Sequence, residues 1–220
     1  MAKRTILVDS ARRELEKHGT ETFPMTVNHD ELWSFEGKNV PIHWHNDPEI
    51  NLIREGEAVF QVYQKSYRVR TGEGFLLNRN VPHSCSSAGN EQVRYSTILV
   101  RPDFLNGDFG SDVERKCFQP FLQNSAIPCI HLTGFDENGK EILWKLNQVE
   151  EAFDRKRFCY ELKIKGLLCE AFAMILYGYR QELTKFVPAN LQELERLEKM
   201  LNYLNMHFTE VISLQDLADQ

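Results

Sequence analysis

Short apolar or alternating runs separated by turn residues fill the chain from Thr22 to Val100, a pattern typical of β-strands. Gly56, Gly72 and Gly89 stand between several of these runs. Many short strands at this spacing predict a sandwich or a barrel. A short polar helix is predicted before them, from Ser10 to His18. Examples of these runs are Ile42–His45, Ile50–Ile53, Ala58–Tyr63, Tyr67–Val69, Phe75–Leu77 and Val93–Val100.

After Pro102 the hydrophobic period changes to that of helices. Residues 102–132 are ambiguous, with a short helix near Val113–Leu122 and an extended run at Ile127–Leu132. Three helices are then predicted from apolar positions spaced three or four apart. Their stripes are Ile142, Leu146, Val149 and Phe153; Leu168, Phe172, Ile175 and Tyr179; and Leu194, Leu197, Leu201, Leu204 and Phe208. A fourth helix is predicted to begin at Ser213, with Asp216 three residues on as in a capping box.

The first helical stripe has two interpretations. Ile142, Leu146, Val149 and Phe153 could pack on the predicted barrel or on a second copy of the chain. One apolar stripe cannot distinguish burial within a chain from burial between chains. We take these four residues as the candidate interface of a homodimer.

Composition excludes several classes of protein. Apolar residues make up 42% and charged residues 26% of the chain, as in ordinary globular proteins. No run approaches the roughly 20 apolar residues of a membrane span, and the N-terminus lacks a secretory pattern. We therefore expect a cytoplasmic protein without a membrane partner. A net charge of −6 is unlike a free-standing nucleic-acid binder, and five scattered cysteines argue against a disulfide framework.

One cluster of residues indicates chemistry. His43 and His45 are two apart on a predicted strand, so both side chains can point to one face. The chain then turns at residues 46–48, and Glu49 opens the returning strand, while His83 offers a further imidazole. Three imidazoles and a carboxylate suit Zn, Ni, Mn or Fe. The same side chains could instead hydrogen-bond an organic ligand without any metal.

The spacing Gly37-x5-His43-x-His45-x3-Glu49-x6-Gly56 resembles the first conserved motif of the cupin superfamily. Residues 72–87 resemble its second motif less closely, with Gly72 and His83 matching. Asn78 stands where proline is usual, Asn80 where glycine is usual and Ser87 where asparagine is usual. The resemblance implies an antiparallel jelly-roll-like barrel with metal ligands at His43, His45, Glu49 and His83. Two of the departures, Asn78 and Asn80, lie in the turn before His83 and therefore bear on the direction of its side chain.

Residues 200–218 resemble the opening of the AraC/XylS-type DNA-binding domain, where "ISL" and "DLA" begin the first helix of a helix-turn-helix. The resemblance implies an α+β protein: a cupin-type ligand-sensing barrel at 1–132, a helical dimerisation segment at 133–187 and a partial helix-turn-helix domain at 188–220. The recognition helix of that family is absent from the chain. Residues 188–220 hold six acids against Arg196 and Lys199, so we expect no DNA binding by this stretch alone. Whether the short form is natural stays open.

Together these features predict the sensing part of a bacterial transcription regulator rather than an enzyme. A small polar effector, for example a sugar, would bind in the barrel and control DNA binding by the C-terminal part of a homodimer. The candidate ligand-binding residues are His43, His45, Glu49, Asn51, Tyr63, His83 and Tyr95. A metal-dependent cupin enzyme, a dioxygenase or an isomerase, is the alternative, and turnover by the metal-loaded protein would favour it.

Overall fold

The computed structural model describes residues 3–185, 200, 203, 207 and 212–218. Strands occupy the first part of this chain and helices the second, which gives the predicted α+β class. The strands are β1 Met25–Glu31, β2 Val40–His43, β3 Glu49–Glu55, β4 Glu57–Val62, β5 Lys65–Arg70, β6 Gly74–Leu77, β7 His83–Ser87, β8 Arg94–Val100 and β9 Cys129–Leu132.

The strands form two antiparallel sheets in a jelly-roll-like arrangement. One sheet has five strands in the order β1-β8-β3-β6-β9, and the other has four in the order β2-β7-β4-β5. The two sheets enclose one apolar core, whose largest side chains are those of Leu32, Phe35, Ile53, Phe60, Phe75, Leu77 and Tyr95. In β4 this burial follows strict alternation, since Ala58, Phe60 and Val62 point inward.

The helices cover the outer face of the five-stranded sheet. They are α1 Pro102–Asn106, α2 Gln119–Leu122, α3 Glu137–Arg155, α4 Tyr160–Gly178 and α5 Arg180–Thr184, with a π-helical turn at Glu114–Phe118 before α2. The second apolar core lies between this sheet and the helices. A polar contact also joins the two layers: Ser96 on β8 donates its hydroxyl to Glu150 Oε1 on α3 at 2.7 Å.

The apolar stripe of α3 packs within the chain. Ile142, Leu146 and Val149 are buried, Leu146 with 0% exposure, and Phe153 is half-buried against the same core. The prediction that these residues form a dimer interface is therefore wrong for the folded chain. The physical reason is that α4 and the sheet already remove this face from water, so no apolar surface is left there for a partner.

The predicted helix at Ser10–His18 is also wrong. Asp9 Oδ1 accepts from the backbone N–H groups of Ala11 and Arg13 at 2.8 and 2.9 Å, which closes a turn. Arg12 follows with a left-handed φ of 65°. The chain on either side of the turn is extended, with a bridge between Val8 and Glu14.

The predicted helix at 194–208 lies largely outside the described residues, whereas the start of the fourth helix is described. A helix spans Leu214–Ala218, and Asp216 N donates to Ser213 Oγ at 3.2 Å while Ser213 N donates to Asp216 Oδ2 at 2.8 Å. These two bonds form the predicted capping box. No helix in the described ranges is long and apolar enough to cross a membrane.

Candidate functional site

The four predicted ligands come together inside the barrel at one end of both sheets. His43 ends β2 and is paired in register with His83, which begins β7. Glu49 begins β3 across the turn from His45. All four side chains are buried, and one nitrogen or carboxylate oxygen from each lies within 4.8 Å of the others. The structure therefore brings together every residue of the predicted metal site.

Backbone carbonyls fix the orientation of two imidazoles. His43 Nδ1 lies 2.9 Å from the carbonyl oxygen of Pro41, and His83 Nδ1 lies 2.9 Å from that of Val81. Because a carbonyl oxygen only accepts, each Nδ1 carries the proton and donates it. The Nε2 atom of each ring is then the one that is free to ligate, an arrangement common among metal-binding histidines.

Glu49 is the centre of the hydrogen-bond network. Its Oε2 lies 2.8 Å from His45 Nε2 and 3.6 Å from His83 Nε2. Its Oε1 accepts from Asn51 Nδ2 at 2.6 Å, and Asn51 Oδ1 in turn accepts from Thr97 Oγ1 at 3.0 Å. The carboxylate is thus held by a second layer of polar groups on β3 and β8, which fixes its direction.

The electrostatics of the cluster favour one added positive charge. Burial opposes ionisation of Glu49, but the nearby charge of His83 and the hydrogen bond from His45 hold its pKa well below the usual range. Burial lowers the pKa of His43 to about 4, helped by the nearby charge of His83. Burial also opposes protonation of His83, yet Glu49 raises its pKa. A buried carboxylate therefore demands a cation, which a proton or a metal ion can supply.

The donor set fits a divalent transition metal. His83 Nε2 is buried and has no hydrogen-bond partner among the described residues, an arrangement that is costly unless the atom binds something. Three imidazoles with one carboxylate are a common ligand set for Fe, Mn, Ni and Zn. Bound there, such an ion would supply Lewis acidity and open coordination positions for a ligand's oxygen atoms.

A small cavity of about 60 Å³ lies beside the cluster. His43, Glu49 and His83 line it, and so do the predicted ligand-binding residues Asn51 and Tyr95. His45 belongs to the cluster but does not line this cavity. The predicted strand alternation therefore placed Asn51 and Tyr95 correctly.

Tyr63 is not part of the site, and its prediction as an interior residue is wrong. Its side chain is 53% exposed, and its φ of 52° places it in the turn between β4 and β5. Val62, the residue before it, is the last of the alternating inward side chains of β4. An outward position follows for Tyr63 from that alternation.

The departures from the second motif leave His83 well positioned. Asn80, in the place of the usual glycine, has a left-handed φ of 59°, a conformation that asparagine tolerates better than most residues. Its backbone N–H donates to the carbonyl oxygen of His45 at 2.7 Å. Asn78, in the place of the usual proline, donates to the carbonyl oxygens of Phe121 and Ile127 at 2.7 and 3.1 Å. Polar bonds thus hold the turn in which proline and glycine are usual.

Sequence reasoning missed several residues that line the cavity. Most of them come from the N-terminal segment, defined here as residues 3–19, and from β1, and the other two lie on β7 and β8. Arg4 forms an ion pair with Asp30, which is 8% exposed. His18 Nδ1 lies 3.0 Å from Asp47 Oδ2, and His18 Nε2 lies 3.4 Å from Glu14 Oε2. The missed residues on the cavity wall include Arg4, Glu14, Glu16, His18, Asn28, Asp30, Cys85 and Thr97.

Comparisons with known proteins connect this site to a family. Residues 31–130 match the family model described as AraC-like ligand binding domain. The chain is 23% identical over 216 residues to the uncharacterized HTH-type transcriptional regulator YdeC of Bacillus subtilis strain 168, and the match covers 98% of this chain and 72% of YdeC.

Two solved structures are also similar. One is ToxT from Vibrio cholerae O395 bound to (E)-4-(8-methylnaphthalen-1-yl)but-3-enoic acid, with a TM-score of 0.51 at 15% identity over 89% of this chain and 70% of ToxT. The other is a cupin-2 domain protein from Shewanella frigidimarina, with a TM-score of 0.30 at 19% identity over 35% of this chain and 71% of that protein. The likeness to ToxT supports the fold. Residues 31–130 are similar in sequence to the AraC-like ligand-binding domain, and the chain is similar to an HTH-type transcriptional regulator.

Proposed function

We propose that this domain binds a small polar effector inside the barrel, and that occupancy of the site controls DNA binding by the C-terminal part of the regulator. The observation that carries the proposal is the small cavity beside the buried side chains of His43, Glu49 and His83, within the segment that matches the family model. An effector can shift such an equilibrium only by its differential affinity for the two states of the protein. The role is that of a sensor rather than an enzyme.

The chemistry of the cavity supports a metal ion as one component of the bound state. His43, His45, Glu49 and His83 would hold Zn, Ni, Mn or Fe. A sugar, the effector class expected from the sequence, needs far more room than about 60 Å³. A sugar would therefore fit only if the N-terminal segment moved away from the cavity.

DNA contact is assigned to the C-terminal part of the regulator. The capping box at Ser213 and Asp216 supports the start of the first helix of a helix-turn-helix. The chain spans 72% of YdeC, an HTH-type regulator, so this relative extends beyond the match. The recognition helix that enters the major groove would lie in the remaining part.

A homodimer is proposed through the exposed face of α4 instead of through α3. Leu162 and Tyr177 are 72% and 69% exposed, and Gly166, Cys169 and Ala173 are exposed between them. From Gly166 to Gly178 the helix has one charged residue, Glu170, and it is already paired with Lys145 at 2.5 Å. A helix that is apolar on all sides is usually buried on all sides.

The α4 face is also self-complementary under a twofold axis. Antiparallel pairing centred between Cys169 and Glu170 places Leu162 opposite Tyr177 and Gly166 opposite Ala173. Large side chains then meet at both ends, and small ones meet in the centre, where the two backbones can approach closely. A second copy of this chain is therefore the occupant that this face fits.

The proposed function is tested by measuring ligand binding to the unmodified chain and to a variant whose metal-binding cluster lacks one ligand. Elemental analysis of the purified chain and a His45→Ala variant gives metal content, and thermal shift screening of metals and polar metabolites gives ligand-dependent stability. A sensor gains stability on binding in proportion to RT ln(1 + [L]/Kd). Absence of any saturable shift would remove the sensor proposal. Turnover of a screened compound by the metal-loaded chain would instead establish the alternative, a cupin dioxygenase or isomerase.

A further inference from the structure

The size of the cavity limits what can be sensed with the N-terminal segment in place. Pockets for organic ligands usually enclose about 300–1,000 Å³, whereas this cavity offers about 60 Å³. A water molecule occupies roughly 30 Å³ in the liquid. The space therefore suits a metal ion and a few coordinated water molecules, and it excludes a metabolite of ordinary size.

The charges on the cavity wall favour a cation. Four carboxylates line the cavity, those of Glu14, Glu16, Asp30 and Glu49. The cationic partners among the lining residues are Arg4, His18 and, when it is protonated, His83, so the four acids still outnumber them. A cavity with low-dielectric walls concentrates the field of such charges and attracts ions of the opposite sign. An anionic effector would meet net repulsion here.

The N-terminal segment is attached to the stretch that carries His43 and His45, at Trp44, the residue between these two ligands. Trp44 N donates to the carbonyl oxygen of Arg12 at 3.1 Å, and the carbonyl oxygen of Trp44 accepts from Glu14 N at 2.9 Å. The indole Nε1 of Trp44 donates to the carbonyl oxygen of Ala11 at 2.9 Å. The guanidinium of Arg13 lies 5.6 Å from the centre of the same ring system.

This attachment links ligand geometry to the position of the segment. His43 and His45 point to the cluster and Trp44 points away from it, as the alternation of an extended chain requires. When His43 and His45 coordinate the same ion, the backbone of Trp44 between them is restrained. The hydrogen bonds from that backbone to Arg12 and Glu14 are then restrained as well. An ion that orders this stretch stabilises the docked segment through those contacts.

We propose that the effector is a divalent transition-metal ion itself, bound reversibly by His43, His45, Glu49 and His83, and that Trp44 transmits its binding to the N-terminal segment. The inference rests on the proposed sensor function and names the ligand of the same site. It assigns the metal the role of signal rather than that of a permanent cofactor. Trp44 is a positioning residue, because its side chain contacts the segment and not the ion.

The experiment uses the full chain, freed of metal by a chelator and titrated separately with Zn²⁺, Ni²⁺, Mn²⁺ and Fe²⁺. Calorimetry measures binding, and mass spectrometry follows trypsin cleavage at Arg12, Arg13 and Lys17. We expect one metal to bind at one equivalent, to be removed by chelator and to slow these cleavages about tenfold, which corresponds to about 1.4 kcal/mol of segment docking. Glu49→Gln should weaken binding and abolish the protection together.

The matched variants separate transmission from binding. Trp44→Ala should keep one equivalent of metal but lose most of the protection, because it removes the indole contacts to Ala11 and Arg13. Trp33→Ala is the control, since Trp33 is 43% exposed and lies outside the cavity lining. Equal protection in Trp44→Ala and the unmodified chain would contradict the transmission through Trp44.

Two other outcomes overturn the proposal in distinguishable ways. Metal that binds without altering cleavage, together with an organic compound that gives a saturable thermal shift, would make the ion a cofactor and leave the sensor function standing. Failure of every metal and every screened compound to bind would remove both this inference and the proposed function.

Discussion

Asn80 donates its backbone N–H to the carbonyl oxygen of His45 at 2.7 Å, which ties the turn before His83 to the turn before Glu49. This bond requires the left-handed conformation of Asn80, whose φ is 59°. Two ligand-bearing segments that are distant in sequence are thereby held at a fixed separation. The residue at position 80 is therefore important for its backbone rather than for its side chain.

The first prediction concerns Asn80. Asn80→Val should cost about 1–3 kcal/mol of unfolding free energy, because a β-branched residue is strained at positive φ. Metal affinity should fall as well, since His83 loses its fixed position. Asn80→Gly is the control and should keep both properties, as glycine adopts this conformation readily. Urea denaturation and calorimetric metal titration measure the two quantities, and equal behaviour of the variants would contradict the account.

The second prediction separates the core face of α3 from the exposed face of α4. Leu146→Glu should unfold the chain, because it buries a charge at a side chain with 0% exposure. Ala173→Glu should leave the fold intact and convert a dimer into a monomer, because it places a long charged side chain opposite Gly166 of the second copy, where the two backbones approach closely. Circular dichroism and light scattering after size-exclusion chromatography measure these outcomes. A folded Ala173→Glu variant that remains dimeric would exclude the α4 interface.

The third prediction concerns the residues predicted to bind ligand. Asn51→Leu should lower metal affinity about 10- to 100-fold, the usual effect of losing a residue that orients a ligand. The reason is that Glu49 Oε1 then loses the donor 2.6 Å away. Tyr63→Ser should leave metal affinity unchanged because Tyr63 is an exposed turn residue. A loss of affinity in Tyr63→Ser comparable with that of Asn51→Leu would contradict the structure.

The fourth prediction concerns pH. Burial of His18 opposes its protonation, but hydrogen bonds to Asp47 and Glu14 raise its pKa from 6.5 to about 10. A raised pKa means that the folded state holds the proton more tightly. The stabilisation is complete below pH 6.5 and is lost as the pH rises through 10.

Chain stability should therefore fall between pH 7 and 10, whereas a His18→Gln variant should lack this component of the decline. One pKa unit corresponds to about 1.4 kcal/mol, so we expect a difference of at least this size between pH 7 and 10. Urea denaturation of both proteins across this range measures it. Parallel pH profiles would show that His18 does not hold its proton more tightly in the folded state.

The metal cluster could be predicted from sequence because its geometry is local. His43, His45 and Glu49 lie within seven residues, and strand alternation followed by a turn directs all three to one point. His83 was proposed as a further imidazole and also matches the second motif, and it is paired with His43 in register. The same alternation placed Asn51 and Tyr95 on the cavity, and it was misapplied to Tyr63, where the strand had already ended.

The N-terminal segment could not be predicted, because its structure depends on contacts with distant residues. Arg12 meets Trp44 and Arg4 meets Asp30, and neither pair leaves a periodic pattern in the sequence. The strands β1 and β7 were missed for a related reason. Both are rich in polar side chains, since one face of each contributes to a polar cavity or to the ligand cluster.

Two neighbouring residues of β8 lie on opposite faces of the sheet and bond to different layers of the protein. Thr97 bonds to Asn51 beside the cluster, and Ser96, one residue earlier, bonds to Glu150 on α3. A single stretch of backbone thus connects the interior of the barrel with the helix that packs on its outer face. If β8 twists so that Thr97 follows a change around Glu49, Ser96 turns with it, and α3 receives that displacement without any loop having to rearrange.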